Sequence, residues 1–194
     1  MKTNLNKLVI MFIWTIIILS CSTSPIDRVK AWEKAMNSNQ IKSIVALYAD
    51  DATIDYTGLV VVKGKVDIQA FMEWTSAMNT HLSLNSFRQI GDTLVCMGIE
   101  TNDWLKTAGI NELSYSLLKF TFSNGLITFA QAELSPESYR ALIEANNTVM
   151  EWASKERSQQ VADMMPQGKF VHNAATAKTM LALVREWREA TKQK

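Results

Sequence analysis

Between His81 and Leu134 the sequence passes almost without pause through four β-rich stretches, "HLSLNSF", "TLVCMGIET", "LSYSLLKFTF" and "LITFAQAEL". Gly91-Asp92, Gly109 with Asn111, and Asn124-Gly125 separate them. Runs of β-branched and aromatic residues joined by short turn signals predict an antiparallel meander. Asn124-Gly125 is a strong hairpin signal, because both residue types tolerate the positive φ of a tight turn. A meander with this many apolar side chains must bury one face, so the remainder of the chain has to supply the cover.

That cover is helical. Ser24 can cap a helix with Pro25 in its first position and Asp27 in its first turn, and Ile26, Val29, Trp32 and Met36 follow at helical spacing. After the break at Asn37 to Gln40, a short helix carries Ile41, Ile44, Val45 and Tyr48 on one side. "ALYADDATIDY" then leads into a strand, and Asp50 and Asp51 read as the turn that joins helix to strand, since aspartate side chains bond nearby backbone amides. "TGLVVVKGK" adds a strand between glycine turns, and Val66 to Met78 is helical again through Ile68, Phe71, Met72 and Thr75. Helices followed by a strongly bent antiparallel sheet make an α+β cone, with the helices closing one face.

The chain before Cys21 stands apart from this core. Lys2 and Lys7 precede Leu8 to Leu19, an apolar run broken by Thr15 that is too short to span a membrane and fits an export signal. The run ends in "IILSC", which resembles a bacterial lipobox, in which a cysteine after a small residue is lipidated. The resemblance implies a signal peptide at residues 1–20, an anchor segment at 21–24, lipidated Cys21, and a membrane-anchored envelope protein on the periplasmic or outer-membrane side. Cys96 then has no intrachain partner, so the core itself must hold the mature fold. The 194 residues carry 20 basic and 19 acidic side chains, a balance that disfavours nucleic acid as a partner. With the signal, Lys2 and Lys7 are lost and the formal charge falls from +1 to −1, so attachment to a membrane would come through acyl chains rather than charge.

"IVALYADDATI", "KGKVDIQAFMEW" and "FTFSNGLITFAQAE" resemble the nuclear transport factor 2-like superfamily, in its SnoaL-like branch of ketosteroid isomerases, polyketide cyclases and dehydratases. The resemblance extends over residues 25–135 and implies a cone-shaped pocket, with residues 136–194 as a C-terminal helical extension. Ketosteroid isomerases use an aspartate base after the "YADDAT" turn, a first-helix tyrosine and a protonated late-strand aspartate. Here those positions fall on Tyr56, Trp32 and Leu118, and Asp55 is one residue out of step, which in a strand means the opposite face. The resemblance therefore implies a pocket without that chemistry. Its lining would be Trp32, Tyr56, Phe71, Met72, Leu118, Ala130, Ala132 and Leu134, with Ser114 and Ser116 towards the mouth. The plainer reading is that these side chains simply fill the cone.

Other groups carry less. His81 and His172 have no carboxylate at ligand spacing, so no metal and no cofactor is expected. Glu133 has the parity opposite to Ala130 and Ala132, and local sequence does not say whether a bulge turns Glu100 inward. Cys96 reads as a small buried hydrophobe. "SPES" opens a further helix through Leu142, Val149, Met150 and Ala153 towards Pro166 and Gly168, and a last helix carries Ala177, Met180, Leu181, Val184 and a buried Trp187. This pair reads as packing on the outer face of the sheet; a lid over the pocket or a partner surface is the alternative. Three functions follow from different classes. The first is an anchored module binding a small apolar or aromatic molecule. The second is an isomerase, dehydratase or cyclase using Tyr56 with Asp55 or His81. The third is an interaction module that forms a homodimer through its sheet, which requires a filled cone.

Overall fold

The computed structural model describes residues 23–192, so Cys21 and the proposed signal lie outside the described residues. Helix α1 (Pro25–Asn37) starts where its capping chemistry sets it, with the Ser24 hydroxyl accepting the Asp27 N–H at 3.1 Å. Helix α2 (Ile41–Ala46) is followed by strands β1 (Tyr48–Tyr56) and β2 (Val60–Lys63), and then by helix α3 (Lys65–Ala77). Strands β3 (His81–Ile90), β4 (Thr93–Thr101), β5 (Leu113–Ser123) and β6 (Leu126–Leu134) form the meander. Its last hairpin turns on Asn124 at φ 50° and Gly125 at φ 76°, the two positive angles that a two-residue hairpin of matching twist requires.

The sheet is six-stranded, open, and ordered β2-β1-β6-β5-β4-β3. It is mixed rather than wholly antiparallel, because β1 runs parallel to β6, with Ile54 beside Ala130 and Tyr56 beside Ala132. The physical reason is the crossover. After β2 the chain passes through α3 to the far edge of the sheet, and the meander that begins there at β3 returns strand by strand until β6 meets β1.

Asp50 and Asp51 do not form the helix-to-strand turn. Helix α2 ends at Leu47, whose N–H bonds to Ile44 at 3.0 Å, and Tyr48 already pairs with Ile127. The aspartates fall in β1 where its register with β6 breaks between Tyr48 and Thr53, and both are exposed. Polar side chains suit such an unpaired stretch. Asp50 bonds to Lys65 at 3.1 Å, an exposed pair of the kind that contributes about 0–1 kcal/mol. A short helix, α4 (Asp103–Ala108), sits between β4 and β5; the Asn102 side chain caps it by accepting the Leu105 N–H at 2.8 Å, and Gly109 closes it in the left-handed region at φ 92°.

The C-terminal segment forms α5 (Pro136–Glu156), α6 (Ser158–Met164), a 3-10 turn at Pro166–Gly168, and α7 (Ala174–Lys192). It shares the main core: Val149 and Ala153 of α5 and Ala177, Leu183 and Val184 of α7 are fully buried. Two expectations change here. Helix α7 packs against α3 and α4, so the segment closes over the helix-covered side of the sheet instead of its outer face. Trp187 is only partly buried, because the stripe that turns inward is Ala177, Met180, Leu181, Leu183 and Val184. No helix among the described residues is long and apolar enough to cross a membrane.

Candidate functional site

Two bulges decide which side chains of the sheet share a face. On β5, Leu113 and Tyr115 are buried in one phase, and Leu118, Phe120 and Phe122 in the other, because the register with both neighbours slips between Tyr115 and Leu118. On β6 the phase changes between Ile127 and Ala130, where its register with β5 also slips. Strand β4 keeps one phase, so Leu94, Cys96, Gly98 and Glu100 all point to the same side. Gly98 is closely packed in that row: a methyl group there would lie 2.8 Å from Leu84 Cδ2 and 2.9 Å from Leu118 Cδ1.

On this inner side the structure holds a cavity of about 620 Å³. Its sheet wall carries Tyr56, Glu100, Tyr115 and Leu134, its helical wall Phe71, Trp74 and Trp104, and its roof comes from the C-terminal segment through Leu142, Met150, Phe170 and His172. Apolar and aromatic groups dominate. The Tyr56 ring stands 5.5 Å from Phe71 and 6.3 Å from Tyr115, and the His172 ring packs edge-on to Phe71, Trp74 and Phe170. Burial holds the imidazole below its ordinary range, so His172 is neutral near pH 7.

The polar focus is Glu100. Tyr115 Oη donates to Glu100 Oε2 at 2.5 Å and Asn102 Nδ2 donates to Oε1 at 2.9 Å. Burial pushes the carboxyl above the usual carboxylate range, and these two hydrogen bonds work against the shift. Burial, and second the Glu100 carboxylate, push the Tyr56 phenol well above its ordinary range, so it can donate a hydrogen bond but cannot serve as a base near neutrality. Among the described residues no three His, Cys, Asp or Glu side chains come together as a metal site would require. Cys96 is buried in the core, where desolvation pushes its thiol up to about 12.

Of the residues singled out from the sequence, Tyr56, Phe71 and Leu134 line the cavity. Trp32, Met72, Leu118, Ala130 and Ala132 are buried in the surrounding core and are not part of its wall. Ser116 is exposed at the β5 bulge, where its hydroxyl donates to the Glu133 carbonyl at 3.2 Å. Asp55 and His81 do not line the cavity either, and His81 is exposed at the start of β3. Tyr115, Asn102, Trp74, Trp104 and the roof are additions from the structure. For Glu100 a local signal existed: it continues the alternation of Leu94, Cys96 and Gly98.

No protein-family model matches the chain, and no curated protein matches it. Solved structures do. An NTF2-like protein of unknown function from Cytophaga hutchinsonii aligns with a TM-score of 0.51 at 11% identity, over 61% of this chain and 96% of that one. An epoxide hydrolase of LEH-like type from M. tuberculosis aligns at 0.51 and 12% identity, over 64% and 93%. The epoxide hydrolase/cyclase-like enzyme SalBIII, of pyran ring formation in salinomycin, aligns at 0.52 and 14% identity, over 58% and 92%. The chain thus has the nuclear transport factor 2-like α+β fold, shared with proteins of several activities, and the fold alone assigns none of them.

Proposed function

We propose that this protein binds a small, mostly apolar or aromatic molecule in its cavity, from a lipid-anchored position in a bacterial cell envelope, without chemistry of the ketosteroid-isomerase type. The observation that carries the binding reading is an open, mainly apolar cavity in which Tyr56, Tyr115 and Glu100 converge on the sheet wall while aromatic rings form much of the rest. An interaction module with a filled cone fits such a cavity poorly. The isomerase-type positions are Tyr56, a phenol too weakly acidic to be a base, and Trp32 and Leu118, which belong to the core.

Trp74 and Trp104 stand in the wall, so a bound molecule should change the intrinsic fluorescence. Tyr56→Phe is expected to weaken it by about 0.5–1.5 kcal/mol, the net worth of one hydrogen bond, while thermal unfolding stays cooperative. Unchanged affinity would remove Tyr56 from the site. The envelope location rests on "IILSC" alone. Cys21→Ala is expected to release the protein from the membrane fraction and to abolish the acyl mass on its N-terminus; a soluble, unacylated native protein would refute the anchor.

One observation favours an isomerase, dehydratase or cyclase as the second reading. Glu100 is a carboxyl of raised pKa in a cleft, the setting in which proton-transfer groups are found. Turnover of a ketosteroid, an epoxide or a hydroxy-aromatic that vanishes in a folded Glu100→Gln variant would establish that reading.

A further inference from the structure

The surroundings of Glu100 are asymmetric in charge. Asn102 has no freedom of orientation: its Oδ1 accepts the Leu105 N–H that opens α4, so its Nδ2 hydrogens must face Glu100 Oε1. The second oxygen, Oε2, accepts from the Tyr115 hydroxyl, which belongs to a side chain only 3% exposed. Two donors are therefore set on the two carboxyl oxygens, an arrangement that serves a carboxylate better than a carboxylic acid. Among the described residues no lysine or arginine lines the cavity to balance that charge, and the other titratable groups they place in the wall are Tyr56, Tyr115 and His172. Each of these is neutral near pH 7, because burial raises both phenols and lowers the imidazole. Burial alone disfavours a charge on Glu100, so a carboxyl whose two oxygens are hydrogen-bonded for ionisation but have no counter-ion among the described residues, in a cavity walled by aromatic faces, is complementary to a cation that arrives with the ligand and holds it ionised.

We infer that the molecule held in this cavity carries a protonated amine on an apolar or aromatic body, with the ammonium on Glu100 beside the rings of Tyr56 and Tyr115. This rests on the cavity being a binding site, and it names the chemistry of its ligand. A hydroxyl and an ammonium can both hydrogen-bond to the carboxylate, but only the ammonium adds the attraction of opposite charges at close range, which is strong in a largely water-excluded cavity.

The test uses the mature protein at pH 7.5 with 1-naphthylmethylamine and 1-naphthylmethanol, probes of nearly equal size that differ in charge, followed by tryptophan fluorescence and calorimetry. The amine is expected to bind about tenfold more tightly than the alcohol, a difference of about 1.4 kcal/mol. In Glu100→Gln the two affinities should converge while the alcohol still binds. An alcohol that binds the unmodified protein as tightly as the amine overturns the inference and leaves the binding reading intact, with no variant needed. A preference for the amine that survives in a folded Glu100→Gln variant also overturns it. Failure of both probes to bind the folded protein removes the binding reading and the inference together.

Discussion

Leu183→Ala is expected to destabilise the protein by about 2–5 kcal/mol, a large part of the stability of a domain of this size. Leu183 is fully buried in α7, between residues that pack on α3 and α4, and the shortened side chain would leave a void that a close-packed interior cannot fully collapse. Chemical denaturation should show the loss as a lower midpoint at unchanged slope. The same reasoning predicts that a chain ending at Ser135 aggregates. Without α5 to α7, the faces of Phe71, Trp74 and Met78 that now look into a roofed cavity would open to water. A truncated chain that melts cooperatively at the temperature of the full one would show that the segment is a detachable arm.

Trp32→Ala should cost about 3–5 kcal/mol, the range for removing a buried aromatic side chain. The indole is 5% exposed, stands edge-on to Phe120 at 5.3 Å, and donates from Nε1 to the hydroxyl of the fully buried Tyr48 at 3.0 Å. Trp32→Phe separates the two contributions. It keeps most of the ring, strips the Tyr48 hydroxyl of this donor, and should cost about 1–3 kcal/mol. Ligand affinity should be unchanged in Trp32→Phe, because the cavity wall does not include this residue. A selective loss of affinity at unaltered stability would return Trp32 to the site.

Legibility followed the range of the interaction. Capping of α1 by Ser24, the Asn124-Gly125 hairpin and the buried phase of α7 depend on neighbours within a turn or two, and each was readable from spacing and residue type. Helix α4 is equally local, with Asn102 before it and Gly109 after it, but its six residues carry less signal than the β-rich runs on either side. The aspartates of "YADD" looked like a turn for the same local reason. Long-range pairing of Tyr48 with Ile127 drew the strand back past them.

The site followed the opposite rule. Counting phases along β5 from Leu118 gives the wrong face for Tyr115, because one extra residue at Ser116 and Leu117 is absorbed in a bulge opposite two other strands. Glu100 kept its phase along β4, yet nothing in that strand says that Tyr115 and Asn102 will supply its two hydrogen bonds. By itself the sequence determined helices α1, α2, α3, α5 and α7, the Asn124-Gly125 turn, the α+β class and the lipobox-like segment, since periodicity, capping and apolar length act within short windows of chain. The tertiary structure alone decided the parallel join of β1 to β6, the bulges that sort inward from outward side chains, and the roof that α5 to α7 place over the cavity. Those features arise from contacts between residues far apart in sequence, whose relative position is fixed only when the sheet and its helices pack together.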